Sequence, residues 1–252
     1  MTARFTDRIA LVTGAGGGIG SAIAARLAEE GATVIVADVV AEAAQRTVDE
    51  IVAGGGAAVP STFDLRSPEA IRAAVAGLLA EHGRIDVLVN NAGVNRRGAL
   101  LELSDDDWAL TFDVNVDAIF HLTRAVLPQM VERRTGAIVN TASQWGLHPA
   151  PGHIGYNVSK AAVVSFTQSL ARDYAPHNVR VNAVAPGEVR TPMVEANLAR
   201  TGRTVDDLNK LVPFGRIGEP SEIAALVAFL ASHETPYLTG TVVEITGAQA
   251  VS

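Results

Sequence analysis

Arg8–Gly20 reads RIALVTGAGGGIG. A short β-branched apolar run, Arg8–Thr13, passes directly into a glycine cluster, and Gly18–Glu30 then follows as an Ala/Leu/Arg-rich helix. Glycines between a strand and a helix let the backbone turn sharply and let a pyrophosphate approach the helix N-terminus. The spacing is not G-x-G-x-x-G from Gly14, because Ile19 stands where the third glycine belongs. It fits G-x-x-x-G-x-G through Gly14, Gly18 and Gly20, with Gly16 inside the loop. A glycine cluster alone also fits a tight turn without a ligand. The strand before it and the helix after it favour a dinucleotide site.

The same alternation continues along the chain. Strands are expected at Thr33–Asp38, Ala57–Thr62 (the weakest), Ile85–Asn90, Ala137–Ala142, Val179–Ala185 and Thr241–Ile245. Helices are expected at Val40–Val52, Ser67–Glu81, Ser104–Glu132, Ile154–Tyr174 and Pro220–Ala231. Ser67 before Pro68 reads as an N-cap, and Ser104 with Asp105–Asp107 places a cap and negative charge at a helix start. Val189–Val212 reads as polar and irregular. Fully apolar strands alternating with helices imply right-handed crossovers and a parallel sheet buried on both faces. The fold expected is a single-domain α/β doubly wound sheet of seven strands, ordered 3-2-1-4-5-6-7, with helices on both faces. Residues 1–252 form one domain, with 188–215 as a substrate loop or lid within it. Ligands of such sheets lie beyond the carboxyl ends of the strands, near the switch point.

Composition narrows the function. The 252 residues carry 20 Lys+Arg against 27 Asp+Glu, a net charge of −7, and no basic run, which argues against nucleic acid and anionic membranes as partners. With no cysteine, thiol catalysis and Cys-ligated metals are excluded. His121, His148, His153 and His177 are scattered, so no metal is expected. The start, MTARFTDR, lacks the apolar stretch of a secretory signal, and no apolar run approaches the ~18 residues that span a bilayer. A cytoplasmic location is expected.

Asp38 ends the second strand, 20 residues after Gly18. A carboxylate there can accept both adenosine ribose hydroxyls and repel a 2′-phosphate; it can equally cap the next helix. Neither Gly17 nor Val39 is basic, which favours NAD over NADP. Tyr156 and Lys160 stand four apart, on one helix face with about 6 Å of rise between them. A free phenol has a pKa near 10, and a neighbouring ammonium is expected to lower it into a range useful for acid–base work.

The glycine pattern, Asn90-Asn91-Ala92-Gly93 after the fourth strand, Asn115, Ser143, Tyr156-x-x-x-Lys160 and Pro186-Gly187 occur in that order. The ordered set resembles the short-chain dehydrogenase/reductase family in its compact, Rossmann-type form, over essentially the whole chain. The resemblance implies an NAD(H)-dependent oxidoreductase. Tyr156 would be the acid–base, Lys160 would lower its pKa and hold the nicotinamide ribose, and Ser143 would hydrogen-bond the substrate oxygen. Asn115 would interrupt the long helix and hold a water linking Lys160 to solvent. Asn91, Ala92 and Gly93 would line the adenosine side, Asp64 and Leu65 the adenine edge. Val189 and Thr191, just past Pro186-Gly187, would contact the carboxamide and phosphates.

The same resemblance makes a homotetramer the expected assembly. The last strand departs from the family's usual D-G-G ending, reading Glu244-Ile245-Thr246-Gly247-Ala248, at a place that commonly meets a subunit. The substrate pocket is expected from loops bearing Asn95, Arg96, Arg97, Gln144, Trp145, His148, His153, Glu188, Arg190 and Glu195. Their polarity points to a polyol, sugar or sugar acid, with Arg96 or Arg97 able to clamp a carboxylate. A hydroxy acid or simple secondary alcohol is the alternative substrate, and a non-catalytic NAD sensor the alternative class.

Overall fold

A computed structural model describes residues 3–249. Among them, seven strands form one parallel sheet ordered β3-β2-β1-β4-β5-β6-β7. The strands are β1 (Ile9–Thr13), β2 (Thr33–Asp38), β3 (Ala57–Thr62), β4 (Val87–Asn90), β5 (Gly136–Thr141), β6 (Val179–Pro186) and β7 (Val242–Ile245). The expected order is the one found. Weakness in β3 has a cause: it is an edge strand, largely unburied, and it carries Pro60, tolerated where one side of the ladder faces no neighbour.

Alternate residues of each strand feed opposite layers. Ala10 and Val12 of β1 pack on α1 (Gly18–Glu29), α2 (Ala41–Ala53) and α9 (Pro220–Ala231). Leu11 faces the other way, with Ile35, Leu88 and Ile138, against α3 (Pro68–His82), α5 (Ala118–Arg133) and α6 (Ile154–Tyr174). Leu11, Leu88 and Ile138 are fully buried, and truncating any one to Ala should cost about 2–5 kcal/mol. Ser67 Oγ accepts from Ala70 N, so the expected N-cap of α3 is present.

Two expectations need correction. The helix expected over Ser104–Glu132 is α4 (Asp105–Phe112) and α5 joined by a π-helical turn at Asp113–Asp117, with Asn115 buried in the turn. One wider turn inside a helix leaves little trace in apolar periodicity. The segment expected to be irregular contains α7 (Pro192–Thr201) and α8 (Val205–Asn209). Thr191 and Thr204 cap them, and Leu198, Leu208, Val212 and Ile217 make a small core of their own. Among the described residues no helix is long and apolar enough to cross a membrane, and no group of acidic and histidine side chains is arranged to hold a metal.

Candidate active site

A cavity of about 700 Å³ runs across the carboxyl ends of β1, β2, β4 and β5. Its floor is the glycine loop. Gly14 and Gly18 hold φ of 61° and 58°, the left-handed region glycine favours. A Cβ on Gly20 would collide with the Gly14 carbonyl oxygen and stand 2.6 Å from Asn91 Nδ2, so α1 approaches the loop only because this position is bare. Asn91 stitches the floor together: its Nδ2 donates to Thr13 O (3.0 Å) and Gly14 O (3.3 Å). Thr13 Oγ1 accepts from Asn91 N and Ala92 N. Gly16, Ile19, Ala92 and Gly93 also line the cavity. No side chain caps the N-terminus of α1 and no acidic residue lies in its first turn. Those bare amides and the positive helix end suit a diphosphate.

At the far end, the Asp38 carboxylate ties the glycine loop to the chain entering α2. Its Oδ2 accepts from Gly16 N (2.9 Å), and its Oδ1 accepts from Val40 N (3.0 Å) at the start of α2. Asp64 and Leu65 stand nearby on the cavity wall, with the Asp64 carboxylate gripped by Arg66 at 2.6 Å. That ion pair holds the Asp64 carboxyl below the usual carboxylate range. The expectation that nothing basic lies near Asp38 is wrong: Arg46 and Arg66 line the same end. Arg46 stands in the second turn of α2 and Arg66 lies beyond β3, so neither neighbours the glycine loop or Asp38 in sequence.

Tyr156 and Lys160 reach the other end from one face of α6, as their spacing requires. The Lys160 Nζ lies 5.7 Å from the Tyr156 ring centroid and donates to Thr141 O at 2.7 Å. Ser143 follows β5 and hydrogen-bonds the Tyr156 side chain. The electrostatics correct one expectation. Burial raises the Tyr156 pKa; the Ser143 hydrogen bond opposes this and the negative charge of Glu188 adds to it. Lys160 does not bring the phenol down in this state. Its own pKa is pushed down to about 8 by burial.

Asn115 works through the backbone. Its Oδ1 accepts from Val94 N (2.8 Å), and its Nδ2 donates to Val94 O (2.9 Å) and Ser159 Oγ (3.0 Å). Ser159 Oγ in turn donates to Tyr156 O. The π turn thus ties the loop after β4 to the first turn of α6. Ser159, buried and mid-helix, was not foreseen; nothing in its spacing sets it apart.

The substrate side divides the candidate residues. Trp145 packs at a 42° tilt against His153 (centroids 4.4 Å) and stands edge-on to Tyr156 (5.9 Å). His153 Nδ1 pairs with Asn95 Oδ1 at 3.1 Å, and burial with the charge of Arg97 pushes its pKa down to about 4. A neutral ring facing a carbonyl oxygen carries its proton on Nδ1. Glu188 lies close enough to Tyr156 to act on it; burial raises its own pKa, against the opposing charges of Arg97 and Arg203. Arg96 turns away to Asp107 (3.3 Å), and Arg97, itself exposed, is the arginine whose charge reaches His153 and Glu188. His148 pairs with Glu244, and Arg190 with Glu195 and Glu219, all on partly exposed side chains.

Of the residues past β6, Thr191 lines the cavity, together with the unforeseen Met193. Val189 instead packs in the core, and Pro186 is buried as the last residue of β6. The Gly187 amide donates to Ile245 O, continuing the β6–β7 edge. These three do not line the cavity. Gln144 is buried and bonded to Gln249, a residue with no sequence signal.

A family model described as short chain dehydrogenase matches residues 8–201. The chain is 39% identical to "3-oxoacyl-[acyl-carrier-protein] reductase FabG" of Thermotoga maritima, over 97% of this chain and 98% of that one. It is 38% identical to "Cyclohexanol dehydrogenase" of Acinetobacter sp. (strain SE19), over 98% and 97%. The solved structure "Crystal Structure of NAD+-Bound Xylitol Dehydrogenase" superposes with a TM-score of 0.91 at 34% identity, covering 97% of this chain and all of that one.

Proposed function

The chain belongs to the short chain dehydrogenase family, and from that premise we propose that it interconverts a small polar secondary alcohol and its ketone with NAD(H). The observation that carries this reading is that Tyr156, with Ser143 on its hydroxyl, and Lys160 stand at one end of a cavity whose other end holds the Asp38 carboxylate. The nicotinamide, when bound, takes or gives the hydride. Gly14, Gly16, Gly18 and Gly20 would seat its diphosphate against α1, Asp38 its adenosine ribose, and Lys160 its nicotinamide ribose. Asn91, Ala92, Gly93 and Thr191 would form the wall.

The protein itself must orient the carbinol and move one proton. Ser143 donates to the substrate oxygen and Tyr156 exchanges the proton there. Because burial holds the phenol protonated in the free protein, phenolate must be favoured by charge that arrives with the cofactor: the oxidised nicotinamide is cationic. Beside Tyr156, neutral His153 with Asn95 and the buried Glu188 place polar groups next to the Trp145 ring, which supports a hydroxylated substrate. The similarity to a xylitol dehydrogenase structure points the same way. The assembly that fits is a homotetramer: Trp108, Phe120 and Val158 leave apolar surface exposed on α4, α5 and α6.

The test is reduced-nicotinamide absorbance with NAD or NADP and a panel of polyols, aldoses, sugar acids, hydroxy acids and secondary alcohols, with Tyr156→Phe alongside. Turnover with NAD that disappears in Tyr156→Phe is expected. Turnover that survives the substitution overturns the assignment, and NAD binding without turnover on any substrate means a sensor.

A further inference from the structure

Ser143 sits at the head of a tight turn. Its Oγ accepts from Trp145 N at 3.2 Å, and its carbonyl oxygen accepts from Gly146 N at 3.0 Å. With the Trp145 amide on one lone pair, the hydroxyl keeps its proton for the bond to Tyr156. The aim of Ser143 is therefore set by this turn. One side of the turn is pressed onto α6: a Cβ on Gly146 would stand 2.6 Å from the Lys160 carbonyl carbon. The other side carries Gln144, which is buried.

Gln144 Nε2 donates to Gln249 Oε1 at 3.0 Å, and the same oxygen accepts from Glu188 N at 3.3 Å. A backbone amide can only donate, so the shared Gln249 atom is its oxygen, and the Gln144 atom facing it is the amino group. Among the described residues Gln249 is the sole hydrogen-bond partner of the Gln144 side chain. Gln249 is itself seated by the turn after β7: its N donates to Thr246 O at 3.2 Å, and Gly247 O accepts from Phe214 N at 3.1 Å. These segments close around Gly187. A Cβ there would stand 3.0 Å from Thr246 Cα and 3.1 Å from Gln249 Oε1, so the approach needs a bare residue. Gln249 does not line the cofactor cavity.

We propose that Gln249 is a positioning residue for the proton transfer: anchored on the Glu188 amide, it holds the Gln144 side chain and with it the turn that aims Ser143 at the Tyr156 hydroxyl. This rests on the alcohol–ketone reading of the same site. Gln249 meets neither substrate nor nicotinamide and acts only through Ser143. Small displacements of a group at the reacting oxygen cost rate steeply, whereas binding elsewhere in the cavity is untouched.

The test is a double-mutant cycle of Gln249→Met with Ser143→Ala. It uses the nicotinamide that supports turnover and the polyol, sugar acid, hydroxy acid or secondary alcohol that the wild type oxidises fastest. Gln249→Met should lower kcat about tenfold while KM and the Kd for the nicotinamide stay within about twofold. In the Ser143→Ala background the same substitution should change kcat by less than about twofold, because the group it positions is gone. An unchanged kcat in Gln249→Met overturns the proposal. So does an equal loss in both backgrounds, the mark of a purely structural role. Gln144→Met cuts the same link from its other end and should give the same cycle if Gln249→Met does not fold; failure of both to fold makes the link a folding element and overturns the proposal. A wild type that binds NAD and oxidises none of these substrates removes the alcohol–ketone reading itself, and this proposal with it.

Discussion

His153 should make this protein acid-labile in a way a single substitution can isolate. The residue is 8% exposed, its ring packed against Trp145 and paired with Asn95, and its pKa lies at about 4 against an ordinary 6.5. Burial is the larger cause and the charge of Arg97 the smaller. The sign follows from which state takes the proton first. The unfolded chain protonates His153 as the pH falls through 6.5; the folded chain resists until about 4. The full stability is therefore present above 6.5, is lost progressively between 6.5 and 4, and is lost no further below that.

At about 1.36 kcal/mol per pKa unit, a shift of this size costs on the order of 2.5 kcal/mol by pH 4.5 and almost nothing at pH 7.5. His153→Gln removes the titration. It also removes the ring stacking, but that loss does not depend on pH. Urea unfolding of both proteins at the two pH values, at one protein concentration, separates the effects. The gap between wild type and variant should change by about 2–3 kcal/mol in favour of the variant at low pH. Curves that stay parallel would refute the burial argument, as would an imidazole proton resonance that titrates near 6.5. The Arg97 part of the shift should fade in high salt, the burial part should not.

Other expectations follow from the same geometry. Glu188 raises the Tyr156 pKa, so Glu188→Gln should move the alkaline rise of kcat/KM for oxidation to lower pH; an unmoved profile would count against their proximity. Asp38→Ser should improve kcat/KM with NADP relative to NAD by about 10- to 100-fold, since a 2′-phosphate then meets Arg46 on the cavity wall without the Asp38 carboxylate to repel it; unchanged discrimination would show that Asp38 does not set the preference. Gly20→Ala should destabilise the fold by about 3 kcal/mol or more, measured by thermal or urea unfolding, because its Cβ meets the Gly14 carbonyl oxygen. Gly17→Ala, with nothing within 4 Å of its Cβ, should leave that stability unchanged or slightly higher.

How far the sequence could carry these conclusions depends on where each property resides. The sheet order was legible because strands buried on both faces must be apolar throughout, and runs such as Ile9–Thr13 and Thr33–Asp38 have no other stable use. Tyr156 and Lys160 were legible as neighbours because helical geometry alone puts residues four apart on one face. What they do to each other was not, since it turns on burial and on Glu188, 32 residues away and on another element. The same holds for the choice between Arg96 and Arg97. Loop residues lack a period, so only the position of Asp107 on α4 shows that Arg96 is drawn outward. Helix α7 did carry local signals in Thr191, Pro192 and Glu195, but its apolar positions are few because they pack only on α8 and the turn after it. The glutamine pair adds the sharpest case. Neither Gln144 nor Gln249 carries a signal alone, because the bond between their side-chain amides joins residues 105 positions apart. Local pattern sets the scaffold and the Tyr156–Lys160 face of α6, whereas the surroundings of Tyr156 are built from contacts between elements and are visible only in the folded chain.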